Sequence, residues 1–203
     1  MLKLMLFVVV FLGPQTPWQK TESENFVIHH WQNERYGQNV AKLAEMHRKR
    51  IIEEFSLKSV WRHKCDIYCH QDTAIVIGLS EYDRNSDQQI IRRAIWLDVR
   101  YEGVWRDILP HEVAHCCFAG EFNRHLPRWL DEGVAMRYES ESKRKLHRYH
   151  GKDPDVRWLV QVHDYPATTK QKEDFYAQSY VAVDFLITAK GPAVFHAFCR
   201  DVC

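Results

Sequence analysis

The spacing of apolar positions changes character about halfway along the chain. Asn25–His30 ("NFVIHH") alternates with a period of two, the pattern of a strand buried on one face. From Asn39 to Phe55 the apolar positions Val40, Leu43, Ala44, Ile51 and Phe55 recur at helical spacing instead. Lys64–His70 ("KCDIYCH") predicts a second strand, Ala74–Gly78 ("AIVIG") a short apolar segment and Ala94–Val99 ("AIWLDV") a third strand. Beyond Asp107 the pattern is mainly helical. Asp107 is placed to cap a helix whose first turn tolerates Pro110, because the first N–H groups of a helix have no internal partner. Another helix begins near Pro127, and the polar stretch "ESESKRKLHRYHGKDPD" reads as its end and a loop. A last long helix runs from about Asp174 to Lys190 and stops at Gly191-Pro192. Strands first and helices after predict an α+β domain: a small N-terminal mixed sheet with helices, then a mainly helical C-terminal half.

Residues 1–20 stand apart from this outline. One lysine precedes an apolar run from Leu4 to Leu12, too short to span a bilayer as a helix and broken by Gly13-Pro14. It fits the apolar region of an export signal, although no small-x-small cleavage site follows; a buried first strand is the alternative. The chain then divides into a leader over 1–20 and one domain over 21–203, secreted or held at the cell envelope, with any membrane association through the leader alone. The sequence runs out inside a helical pattern at Cys203, as a chain truncated there would.

Composition narrows the functional classes. Hydrophobic residues at 45% and aromatics at 13% mark a globular chain. A net charge of +1, from 28 basic and 27 acidic residues, gives no electrostatic case for nucleic acid or an anionic membrane. The run His47–Arg50 ("HRKR") falls in a helical pattern and reads as a solvated face. Six cysteines agree with an oxidising compartment but leave their pairing open.

The candidate chemistry lies in "PHEVAHCCF", Pro110–Phe118. Four residues are about one helical turn, so His111 and His115 project from one face and can meet one tetrahedral zinc ion. Glu112 lies roughly 100° round the helix, awkward for a ligand but well placed to take a proton from a metal-activated water. A third ligand must come from elsewhere. Glu132, in "LPRWLDEGVA" (Leu126–Ala135), is the best candidate, since a second helix there can fold back onto the first. His125 sits in a turn, and Asp131 points elsewhere and can instead orient a ligand histidine. The positions three and six beyond His115 are Phe118 and Glu121, which excludes a third histidine of the extended motif. Trp129 and Leu130 read as core, and Cys116 and Cys117 as packing thiols.

"HEVAH" followed by "WLDEGVA" resembles the gluzincin (peptidase MA-like) zinc metallopeptidases, and "FYAQSYVAVDFL" (Phe175–Leu186) is similar to a downstream helix of that group. The resemblance covers roughly Ala94–Cys203. It implies a zincin-like fold and hydrolysis of peptide bonds in a peptide or protein substrate. It also implies one zinc ion on His111, His115 and Glu132, Glu112 as general base, and Tyr176 (Tyr180 second) as hydrogen-bond donor to the developing oxyanion. "AIWLDV" would be the edge strand along which substrate lies. Two departures stand out: a short interval from His115 to Glu132, and no glycine-x-methionine-glutamate-asparagine signature, which removes the usual support for an aminopeptidase. Two other readings compete, an inactive protease-like module that binds peptides and a zinc hydrolase of a non-peptide amide or ester. Substrate preference, endo- or exopeptidase action and oligomeric state have no signal in the sequence.

Overall fold

The computed structural model describes residues 18–58, 60–72, 77–87, 89–146 and 154–202. Strands β1 (Gln19–Glu22), β2 (Phe26–His30), β3 (Cys65–His70), β4 (Gly78–Arg84) and β5 (Ile90–Asp98) form one mixed sheet in the order β1-β2-β3-β5-β4. β2, β3 and β5 run parallel, while β1 and β4 lie antiparallel at the two edges. The domain is therefore α+β. Gln19 and Lys20, assigned to the leader from the sequence, belong to β1. The apolar run Leu4–Leu12 and most of the Ala74–Gly78 segment lie outside the described residues.

One correction concerns the sheet edge. "AIWLDV" falls in β5, hydrogen-bonded on both sides, and β4 is the edge beside it. The alternation that hid β4 is simple: its exposed and half-buried residues follow one another because an edge strand presents much of itself to solvent.

Seven helices lie among the described residues: α1 (Glu34–Phe55), α2 (Leu109–Phe122), α3 (Arg128–Met136), α4 (Glu141–Leu146), α5 (Val156–Leu159), α6 (Thr169–Lys190) and α7 (Pro192–Val202). α1 starts before its apolar period does, because the Asn33 side chain accepts a hydrogen bond from the Tyr36 N–H and caps it. Its face Val40, Ala44, Ile51 and Phe55 is buried against strand residues Phe26, Ile28 and Ile67 in one continuous core with α2. Within the run read as a solvated face, Lys49 and Arg50 are exposed, but His47 and Arg48 are half-buried, and the Arg48 guanidinium lies 4.6 Å over the Trp61 ring. The five described cysteines are buried, with the Cys65 and Cys116 sulfurs 4.0 Å apart. None of the described helices is long and apolar enough to cross a membrane.

The start of α2 also departs from expectation. A π-helical turn over Val104–Ile108 leads straight into the helix, whose first residues have no side-chain cap. Asp107 is instead buried inside that turn. Its carboxylate accepts from the Arg106 guanidinium and from the Ser140 N–H at 2.8 Å, so it ties the turn to the segment after α3. Salt bridging and these hydrogen bonds hold its carboxyl below the usual range even though burial pushes the other way.

α3 and α6 pack almost backbone to backbone. A Cβ on Gly133 would stand 2.4 Å from the Ser179 carbonyl oxygen and 2.5 Å from a Val183 methyl. The glycine of "DEGVA" therefore sets how closely α6, with Tyr176 one turn before Ser179, can approach α3.

Candidate metal centre

His111 and His115 lie in the N-terminal half of α2, and Glu132 faces them from the middle of α3. Their Nε2 atoms stand 3.1 Å apart, and Glu132 Oε2 lies 3.4 Å from the first and 3.7 Å from the second. Ligands about 2.0–2.1 Å from a tetrahedral ion are about 3.3 Å from one another. These three atoms thus outline one face of such a tetrahedron. Glu132 Oε2 is buried and accepts no hydrogen bond of normal geometry, a costly state for a carboxylate oxygen unless a cation completes it. The trio is able to hold a metal ion, and it is the one such group among the described residues.

A ring of acids surrounds the trio. Asp131 Oδ1 is 2.9 Å from His115 Nδ1, and Glu139 Oε1 is 2.8 Å from His111 Nδ1. Both contacts lie off the ideal hydrogen-bond line, yet each points a ring's far nitrogen at a carboxylate and turns its Nε2 toward the centre. Asp131 thus stands beside a histidine of the trio. Glu139 was missed, although it follows Glu132 by seven residues, two helical turns; the chain leaves the helix before reaching it, which hides the relation. Asp107 positions Glu139 through its bond to the next residue's N–H.

Electrostatics agree with a cation site. Burial pulls the His115 imidazole down, but Asp131 and Glu132 outweigh it and raise it to about 9. Burial likewise pulls His111 down, but its contacts with Glu132 and Glu139 outweigh that and raise it. Glu132, pushed up by burial, is brought down to about 2 by the two histidines. Without a metal, protons on the imidazoles neutralise the acids; a divalent ion would take their place.

Glu112 faces the rim of the trio beside β4. A Cβ on Gly78 would come 2.8 Å from Glu112 Oε1, so this edge-strand glycine makes room for the carboxylate. Burial raises the Glu112 carboxyl above its usual range; Glu132 adds to the rise, and the two histidines and a hydrogen bond from Ser80 oppose it. Ser80 and Gly78 escaped the sequence reading because β4 did.

These groups line an open pocket of about 200 Å³ with Tyr82, His125, Arg128, Tyr165 and Tyr176. Tyr176 is therefore at the site as expected. Tyr180 is not among its lining residues and packs against the Arg144 guanidinium. No motif or periodicity pointed to Tyr165, whose hydroxyl donates directly to Glu132 Oε1. Burial raises both tyrosine hydroxyls, with Glu132 reinforcing the effect, so each stays a proton donor at neutral pH. Trp129 and Leu130 are buried in the core, as are Cys116 and Cys117. Trp96 lies on the opposite side of the sheet, stacked on Tyr68 with ring centroids 4.2 Å apart. Comparison with protein-family models, curated proteins and solved structures gave no significant match.

Proposed function

We propose that the protein is a zinc-dependent metallopeptidase of gluzincin-like, zincin-type architecture. The observation that carries this reading is the triangle of 3.1, 3.4 and 3.7 Å formed by His111, His115 and Glu132, with a buried carboxylate beside it that belongs to none of the three. A structural zinc site closes with four protein ligands, whereas this one has three and opens into a pocket.

Zinc held there would supply the Lewis acidity that polarises a carbonyl and lowers the pKa of water. The chain's own residues do the rest. β4 offers one free edge of backbone N–H and C=O groups to an extended peptide, which would add as a further strand with its scissile carbonyl over the pocket. Glu112, with its basicity raised by burial, takes a proton from the attacking water and returns it to the leaving amine. Tyr176, protonated, would donate a hydrogen bond to the oxygen that gains charge, while Tyr165 gives its one proton to Glu132 Oε1 and holds that carboxylate in place. Arg128 and Asp131 close the far rim. Export, the remaining part of the proposal, rests on the apolar run Leu4–Leu12.

The test is Glu112→Gln. The variant should keep one zinc per chain, measured by elemental analysis, while cleavage of an unfolded protein falls by about a hundredfold or more. Wild-type protein that binds zinc stoichiometrically yet cuts no member of a broad peptide library would make it a peptide-binding module. Cleavage of small amides or esters but never of peptides would favour the non-peptide hydrolase.

A further inference from the structure

Arg128 is held in an unusual way for a residue at the mouth of a metal pocket. Its Nε donates to the His163 carbonyl oxygen at 3.2 Å. Its guanidinium carbon lies 4.2 Å from the centre of the Tyr165 ring, and that tyrosine in turn donates to Glu132. These two contacts hold the side chain in place. Among the described residues neither terminal amino group has a hydrogen-bond or carboxylate partner, which leaves a forked pair of N–H donors for a ligand.

Two spaces meet at this side chain. One is the 200 Å³ pocket over His111, His115 and Glu132. The other is a cavity of about 490 Å³ that continues past Arg128 between the start of α3 and the loop before α6. His125, Arg128 and Asp131 line both. The second cavity is half apolar, with Leu126, Trp129, Val160 and Val162 beside the polar groups, and it is large enough for more than one residue of an extended chain. Its one carboxylate, Asp131, is engaged by His115 Nδ1 at 2.9 Å. Burial lowers the His125 imidazole, and Arg128 is the permanently charged cation that lines both spaces.

We infer that Arg128 is the specificity determinant of this cavity and binds a carboxylate of the substrate, either an acidic side chain next to the scissile bond or a free chain end. The inference rests on the peptidase reading for its substrate class. A planar guanidinium already held against the Tyr165 ring and by its Nε bond loses little freedom on pairing, and its terminal amino groups can match a carboxylate bidentately. The apolar wall would carry the methylene stem of a glutamate while its head reaches the fork. A lysine at this position would present a point charge without the fork.

The experiment measures binding separately from cutting. Three labelled pentapeptides, identical except for one group, are titrated into zinc-supplemented Glu112→Gln protein. One is a neutral amide with a central glutamine, one has glutamate there, and one keeps glutamine but ends in a free carboxylate. At least one acidic peptide should bind about tenfold tighter than the neutral one, the factor a charge-assisted hydrogen-bonded pair supplies. Whichever arm carries the gain identifies the source of the carboxylate. Arg128→Gln should erase the difference while circular dichroism and melting temperature report an intact fold, and Arg128→Glu should transfer the preference to a lysine peptide. Equal affinities, no binding of any peptide, or a preference that survives Arg128→Gln overturns the inference. The peptidase reading fails on a different result, absence of turnover by the wild-type protein, which leaves these affinities measurable.

Discussion

Each imidazole of the candidate centre turns one nitrogen toward the other two donors and the other toward an acid outside that trio. His111 relies on Glu139 and His115 on Asp131. Replacing Glu139 by glutamine keeps the shape but removes the charge that fixes the tautomer and raises ring basicity. Zinc affinity in a competition titration with a chromophoric chelator should fall about 10- to 100-fold. Unchanged affinity would mean that the contact is incidental. Half of this was legible in the sequence: the HExxH spacing needs only the geometry of one helix, and Asp131 sits next to the expected ligand. Glu139 and Tyr165 were not, since each reaches the centre from beyond the end of a regular element, where periodicity gives no bearing.

At the level of elements, the centre depends on how closely helices meet. Gly133→Ala would force its new methyl against the Ser179 carbonyl, a backbone atom that cannot swing aside. α3 and α6 must then separate, at about 1–3 kcal/mol, a loss visible as a melting temperature lower by several degrees. α1 carries a separate sensitivity. Burial brings the His47 imidazole down to about 4, and its Nδ1 has no hydrogen-bond partner. The unfolded chain, with an ordinary imidazole near 6.5, binds more protons than the folded one between these values, so stability falls as pH drops from about 6.5 toward 4. Allowing for the ring's partial exposure, this amounts to about 2 kcal/mol at most. Urea melts across that window should be flatter for His47→Gln than for wild type; parallel curves would exclude this group as the cause. The helices themselves were plain from apolar spacing and from stops such as Gly191-Pro192. β4 was not, because an exposed edge strand lacks the buried face that makes a strand visible.

For the whole molecule, the candidate centre joins α2, which packs on the sheet, to α3, which packs on α6. Arg137 reinforces the arrangement by bridging Glu54 on α1 and Asp184 on α6. Metal removal should therefore loosen the fold and not only silence a site. With free zinc at about a thousandfold its dissociation constant, linkage adds about 4 kcal/mol to stability. A chelator should lower the melting temperature accordingly, and one equivalent of zinc should restore it. The sequence by itself determined the α+β order, the helix that carries His111, Glu112 and His115, and Glu132 as their partner, because these follow from periodicity within single elements and a short connection between two. Only the tertiary structure decided which strand is the free edge, which acids back the histidines, and that Tyr165 and Arg128 stand at the pocket. Those are meetings of residues far apart in the chain, and their geometry is set by packing, which leaves no local trace in residue order.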